Sequence, residues 1–397
     1  MNLQGNIGRG VMKRTYKFRL YPTTPQQATF TQWLTTCRCV YNNALAERKD
    51  AWHTHQQAVS YYEQANHLKD AKKTNLFLQA VHSQVLQDTL RRLDKTFKNF
   101  FRRLKKGEKP GYPRFKGKYR YDSFTYPQSG FALDYHNKKL RLSKIGSITI
   151  TLHRPIPTEC VIKTCTIKRD VDHWYACVAV ALPDPAPDTQ QRAIKSAIGL
   201  DVGLKSLLTL HTGETIDNPR WLRHSEKKVA KEQRRKDRKV KGSNNRHKQN
   251  RKVAQVHRKI RHQRKDFHHK LSRKLVDSYD LIVYENLRIT NMVKNHHLAK
   301  SISDAGWRQL MRFTEYKAEE AGTLVEYVNA YNTTQLCSRC GQLVPKTLAT
   351  RIHRCPYCGL VLARDHNSAI TVLHRSIHYV EARSSSSSGQ GLSVEPV

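Results

Sequence analysis

Ala197-Ile198-Gly199-Leu200-Asp201-Val202-Gly203-Leu204 is an apolar run with one carboxylate in its middle. It reads as a buried strand, and burying a carboxylate there is costly unless a cation or a donor compensates, so Asp201 is a site candidate. A second such place is Leu281-Ile282-Val283-Tyr284-Glu285-Asn286-Leu287, a near-continuous β run that reaches Glu285 as the pattern turns polar. A third is Arg364-Asp365-His366-Asn367-Ser368-Ala369-Ile370-Thr371-Val372-Leu373, where Asp365 stands at the mouth of an apolar helix. Singly, Asp365 reads as an ordinary helix cap and Glu285 as a strand-end charge. Jointly they give an acid inside a first strand, an acid ending a later strand and an acid opening a helix. Two divalent ions about 4 Å apart need several converging carboxylates to clamp a phosphodiester. Oxygen ligands favour Mg²⁺ or Mn²⁺ over zinc.

The surroundings of these acids are strongly basic. The 397 residues hold 71 Lys plus Arg against 32 Asp plus Glu, a net charge of +39. That excludes an ordinary neutral enzyme and points to a polyanionic partner, with nucleic acid first. A hydrophobic content of 38% supplies a core and argues against a disordered polycation. No apolar run approaches the roughly 18 residues of a membrane helix, and Met1–Arg14 lacks the apolar region of a secretory signal. Residues 1–11 read as an unstructured extension, with Met12 an alternative start.

Between residues 220 and 274 lie 23 Lys plus Arg and only Glu226, Glu232, Asp237 and Asp266 as acids. Val253, Val256, Ile260, Phe267, Leu271 and Leu275 keep a helical stripe, and Gly242-Ser243-Asn244-Asn245 interrupts it, so the segment predicts a basic helical hairpin. A charge run is usually a solvated face. Here the balancing acids are missing, which favours nucleic-acid contact.

Cys337-Ser338-Arg339-Cys340 and Cys355-Pro356-Tyr357-Cys358 are two Cys-x-x-Cys pairs, each followed by glycine, Gly341 and Gly359. Two such knuckles close a tetrahedral zinc site, with glycine supplying the permissive backbone after each. Four thiolates leave no open position, so the ribbon is structural. His353 lies close enough in sequence to substitute as a ligand. Cys37, Cys39, Cys160, Cys165 and Cys177 read as packing residues.

Elsewhere, Tyr16, Phe18 and Leu20 alternate in a first strand, and Thr24 is placed to cap a helix with Pro25 as its first residue. Residues 26–104 are mostly helical by periodicity. From Gly107, runs at 147–152, 160–167 and 174–182 predict a β domain that the first strand joins, with the helical unit inserted. Pro183-Asp184-Pro185-Ala186-Pro187-Asp188 reads as a linker before a domain starting at Ala193, and the serine-rich tail at 381–397 reads as disordered.

These motifs together resemble the TnpB family, the transposon-encoded RNA-guided nucleases of the IS200/IS605 group related to type V CRISPR effectors. The resemblance runs from Met12 to about Leu373. It is carried by Tyr16-Lys17-Phe18-Arg19-Leu20-Tyr21-Pro22, Gly111-Tyr112-Pro113-Arg114-Phe115-Lys116, Gly199-Leu200-Asp201-Val202-Gly203, Tyr284-Glu285-Asn286-Leu287, Ser301-Ile302-Ser303-Asp304-Ala305-Gly306-Trp307, the four cysteines and Asp365-His366-Asn367-Ser368-Ala369. It implies an α+β multidomain fold. A wedge-like β-barrel would span 12–22 and 105–190, and a helical recognition lobe 23–104. A RuvC-like nuclease domain of RNase H fold would span 193–335 and 360–380, with the zinc ribbon at 336–359. Asp201, Glu285 and Asp365 become the Mg²⁺ (or Mn²⁺) ligands of an endodeoxyribonuclease; Cys337, Cys340, Cys355 and Cys358 bind Zn²⁺.

The implied partners are a noncoding guide RNA, double-stranded DNA matched to it beside a short adjacent motif, and a tyrosine-type transposase encoded nearby. The implied setting is the cytoplasm of a bacterium or archaeon, at the nucleoid, with no membrane. Arg102, Arg103, Lys105, Lys106, Arg114, Lys227, Lys228, Arg234, Arg235, Lys236, Arg238 and Lys239 are the expected backbone contacts, together with Lys98. Tyr112, Phe115, Tyr119, Tyr121 and Tyr126 either stack on unpaired bases or form the β-domain core. Two departures from the family pattern, Ala363 for the first acid of its Asp-Arg-Asp and Thr334 for serine, leave all three acids in place. The alternatives are a nuclease-inactive guided DNA-binding regulator and an RNA-independent transposase.

Overall fold

The computed structural model describes residues 13–182, 194–347 and 349–385. The extension at 1–11, the proline-rich linker and residues 386–397 lie outside them. The chain divides into two compact units, one up to Pro185 and one from Ala186.

The first unit opens with β1 (Lys13–Tyr21), followed by α1 (Thr24–His55), α2 (Tyr61–Thr74), α3 (Leu76–Gln79) and α4 (Ser83–Lys105). Six strands follow: β2 (Ser123–Tyr126), β3 (Phe131–Asp134), β4 (Lys139–Leu142), β5 (Gly146–Thr151), β6 (Val161–Asp170) and β7 (His173–Ala181). The sheet order is β2-β6-β7-β1-β5-β4-β3, antiparallel throughout, so β1 sits between β7 and β5. Alternation buries Tyr16, Phe18 and Leu20 on one face. No ladder joins the edge strands β2 and β3 among the described residues, so the expected barrel is seen as an open run of seven strands.

The inserted helical segment at 23–104 and the sheet share one hydrophobic core. Phe30 and Trp33 of α1 pack on Phe124 of β2, and Phe30 on Trp174 of β7, within one cluster that includes Val85 and Leu90 of α4. An apolar helix stripe must be covered, and the sheet's apolar face covers it. The cap of α1 is Thr23 rather than Thr24: Thr23-Thr24-Pro25-Gln26 forms a capping box, in which Gln26 accepts from the Thr23 N–H at 3.0 Å. Tyr121 and Tyr126 are buried core residues and not base-stacking surfaces. Cys39 is exposed, unlike the packed Cys37 and Cys165.

The second unit contains β8 (Ala197–Val202), β9 (Ser206–Leu210), β10 (Thr215–Asp217), α5 (Trp221–Asp237), α6 (Asn244–Ser278) and β11 (Leu281–Glu285). It continues through α7 (Ile289–Met292), α8 (His296–Ala305), α9 (Trp307–Ala321), β12 (Leu324–Val328), β13 (Ile352–Arg354), β14 (Val361–Ala363) and α10 (Arg364–Ser385). Its five-stranded sheet has the order β10-β9-β8-β11-β12, with β9 antiparallel to β8, and β11 parallel to both β8 and β12. Strand alternation divides the residues between two faces. Ile198, Leu200, Ile282 and Tyr284 meet Leu271, Trp307 and Leu310 of α6 and α9, while Leu281 and Val283 meet Val372 and Leu373 of α10.

The β13–β14 hairpin extends the ribbon past residue 359, and α10 continues past 380. No helix among the described residues is long and apolar enough to cross a membrane.

Candidate functional site

Parallel pairing of β8 with β11 sets Leu200 opposite Tyr284. The next residue on each strand is the acid, so Asp201, one residue before the end of β8, and Glu285, the last of β11, stand on the face opposite Leu200 and Tyr284, the face that α10 covers. On α10, Asp365, Ser368, Ala369, Val372 and Leu373 recur at helical spacing on the side turned to that face. The approach is close: a Cβ on Gly199 would lie 2.3 Å from the Ala369 carbonyl oxygen and 2.7 Å from Leu373 Cβ. Gly199 is thus required by space and not by backbone angle.

The three acids therefore converge from distant parts of the chain. Asp201 and Glu285 are 7% and 6% exposed. Ser368 Oγ lies 3.1 Å from Asp201 Oδ1 and 3.4 Å from Glu285 Oε1. Burial, and then the negative charges of Glu285 and Asp365, push the Asp201 carboxyl well above the usual range. Burial also raises Glu285, against the lowering effect of hydrogen bonds from Thr333 and Ser368 and of the Arg375 charge. Arg364 holds the Asp365 carboxylate through Nε at 3.0 Å and Nη2 at 2.9 Å. The oxygens are less tightly gathered than the thiols: among the described residues, the four cysteines form the only group of three or more such residues whose ligand atoms all lie within 4.8 Å of one another.

That second cluster has zinc geometry. Cys337 and Cys358 sulfurs are 3.6 Å apart, and Cys340 and Cys355 sulfurs 3.5 Å. Four sulfurs at about 2.3 Å from one tetrahedral ion stand roughly 3.8 Å apart, so this donor set fits Zn²⁺ with little adjustment. Gly341 and Gly359 adopt φ of 72° and 73°, and each donates its N–H to the first cysteine of its own knuckle. His353 is buried outside the cluster, with Nδ1 against Lys346 Nζ.

The basic hairpin is α5 and α6, joined through Gly242 at φ 88° with Ser243 capping α6. Its packed stripe is shorter than the sequence implies: Ile260, Leu271 and Leu275 are buried, whereas Val253, Val256 and Phe267 are half-buried. His268 joins the buried face, and burial pushes its pKa down to about 4. Asp304 caps α5 from outside, accepting from Leu222 N–H at 2.9 Å and Arg223 N–H at 3.3 Å. Trp307 donates its indole N–H to the Gly203 carbonyl at 3.1 Å, tying α9 to the end of β8.

Lys227, Lys228, Arg234, Arg235, Arg238 and Lys239 are exposed; Lys236 is half-buried against Asp237, and Arg235 pairs with Glu232. In the first unit Arg102, Arg103, Lys105, Lys106, Tyr112, Arg114 and Phe115 are exposed, as is Tyr119. Ser368, Asn367, Thr333 and Arg364 were not assigned roles from sequence. The available signal was the helical spacing that sets Asp365 and Ser368 on one side of α10.

Three family models match the chain: "Probable transposase" (OrfB of IS605) over residues 177–296, "Cas12f1-like, TNB domain" over 307–372 and a "Helix-turn-helix domain" of the same OrfB group over 12–57. A "Putative RNA-guided DNA endonuclease" of Streptomyces pristinaespiralis is 39% identical over 372 residues, covering 91% of this chain and 89% of the relative. "Putative RNA-guided DNA endonuclease InsQ" of Escherichia coli K12 is 31% identical, covering 97% and 98%. A cryo-EM structure of a Cas12f1-sgRNA-target DNA complex aligns at 15% identity over 92% of this chain and 100% of the other, with a TM-score of 0.35. With identity at this level over nearly the full length of both curated proteins, the chain belongs to the TnpB family, the OrfB group of IS605 elements to which Cas12f is related.

Proposed function

We propose that the protein is an RNA-guided, Mg²⁺-dependent DNA endonuclease whose second unit is a RuvC-like domain of RNase H fold. The observation that carries this reading is the convergence of Asp201, Glu285 and Asp365 at the ends of two parallel strands and the start of the helix covering them. Two buried carboxylates with raised pKa side by side fit a divalent ion, and their oxygen donors suit Mg²⁺ or Mn²⁺. Bound there, such ions supply Lewis acidity and charge neutralisation to a phosphodiester. Ser368 donates its hydroxyl to the acid pair, and Arg364 holds the Asp365 carboxylate in place. The first unit would serve as the wedge-like sheet and helical recognition part. Its exposed Tyr112 and Phe115 would stack on unpaired bases, and the α5–α6 hairpin would hold nucleic-acid backbone.

The full-length names of the two curated relatives support the same reading for a guide RNA and a DNA target. A short target-adjacent motif, a nearby tyrosine-type transposase and a cytoplasmic setting complete the proposal. Sequencing the RNA that copurifies, then incubating the complex with Mg²⁺ and a plasmid matched to that RNA, tests it. Cleavage confined to the matched plasmid is expected; an intact plasmid that the complex nonetheless binds makes the protein a guided DNA-binding regulator instead.

A further inference from the structure

Asn367 is fully buried on the first turn of α10, between Asp365 and Ser368. Its Nδ2 donates to the Leu336 carbonyl at 2.7 Å, and its Oδ1 accepts from the Ser338 N–H at 3.0 Å. Those two backbone groups flank Cys337, so the amide pairs with the chain on both sides of one thiol, as a neighbouring strand would. One residue further, Ser368 reaches Asp201 and Glu285. A single helical turn therefore grips the first cysteine knuckle on one side and the acids on the other.

The second knuckle lacks the group that Asn367 uses, since the position equivalent to Ser338 is Pro356, which has no N–H. Both knuckles nonetheless close by the same backbone bond, Gly341 N–H to Cys337 and Gly359 N–H to Cys355. The thiol geometry thus stands without Asn367, and what the clamp fixes is the position of α10 relative to the ribbon.

We propose that Asn367 is a positioning residue through which the ribbon sets the opening turn of α10, and with it the placement of Asp365 and Ser368 against Asp201 and Glu285. The inference rests on the metal-dependent nuclease reading. It makes the ribbon an alignment device for the acids as well as a stiffener. A buried amide left without its partners is costly, so the turn would shift or admit water when the clamp is cut.

Two variants of the full-length protein test it. Asn367→Ala removes both bonds; Ser338→Pro removes one, at a knuckle position where this ribbon already accommodates proline. Zinc per chain, Mn²⁺ binding followed by electron paramagnetic resonance on the nucleic-acid-free protein, and the Mg²⁺ dependence of cleavage by the RNA complex are the readouts. Zinc content is expected to stay at the wild-type level, while Mn²⁺ half-saturation rises about tenfold or more and cleavage falls with it, recovering in part at high Mg²⁺. Should Asn367→Ala fail to fold, Ser338→Pro decides. Mn²⁺ titrations that overlie the wild type in Ser338→Pro would overturn the proposal, whether or not zinc is retained. An Asp201→Asn control that binds Mn²⁺ like the wild type would instead overturn the nuclease reading itself.

Discussion

The four-cysteine ribbon and the acid cluster proposed as a second cation site are built in opposite ways. The four thiols come from two local knuckles, each closed by its own backbone bond and glycine, and they already stand at the spacing one zinc ion requires. The three carboxylates come from residues 201, 285 and 365; a strand pairing, a glycine contact and a helix mouth bring them together, and they stop short of the thiols' closeness. The local site assembles wherever its short segment folds. The dispersed site exists only when the whole second unit does, and it stores repulsion that a divalent cation, on the proposed reading, would relieve.

The sharpest way to separate the two is to remove a ligand from each. Cys355→Ser is expected to abolish zinc binding and unfold the ribbon, since structural zinc contributes on the order of 10 kcal/mol to small domains. Zinc content by atomic absorption and proteolysis within 336–363 would report it. Asp201→Asn is expected to do the reverse in EDTA, raising the melting temperature by a few degrees for roughly 1 kcal/mol of relieved burial. A melting temperature that falls would contradict the stored repulsion.

Gly199→Ala probes what brings the acids together. The added methyl meets the Ala369 carbonyl oxygen, a backbone atom that cannot rotate away, so α10 must move off β8. A loss of about 1–3 kcal/mol or more in urea unfolding is expected, with cleavage lost too. Zinc content should be unaffected.

The pH dependence follows from the raised carboxyls. Without divalent ions, the folded state keeps protons on Asp201 and Glu285 that the unfolded chain releases in the ordinary carboxylate range. Folded protein therefore binds more protons than unfolded over that window, and stability falls as pH rises from about 4 through the raised values. Saturating Mg²⁺ should flatten this slope, and Asp201→Asn should reduce it in EDTA. A slope unchanged by Mg²⁺ would count against metal binding at the acids. The smallest effect is expected at the surface. Replacing Lys227, Lys228, Arg234, Arg238 and Lys239 by glutamine should lower the salt slope of RNA binding by up to about 1 per contacting residue. Their exposure makes a stability change unexpected.

What could be seen in the sequence follows the same division. The ribbon was legible because spacing and glycines encode it locally. Asp201 and Glu285 stood out in the sequence as carboxylates in apolar runs and Asp365 as an acid at a helix mouth, and the structure brings the three together. The joint core of α1, α4 and the first sheet was not legible, because periodicity says that a helix has an apolar face but not what covers it. Strands β3 and β4 have four residues each, too few to set a period. Asn367 and Ser368 look like ordinary small polar residues in a helix, and their roles come from partners dozens of residues or more away.

Cleavage of a matched plasmid by the purified RNA complex, run side by side for the wild type and for Asp201→Ala, Glu285→Gln and Asp365→Asn, tests the convergence of the three acids most directly. Each substitution is expected to abolish cutting while guide RNA and target DNA remain bound. Wild-type cutting by any one of the three would contradict a single shared metal centre.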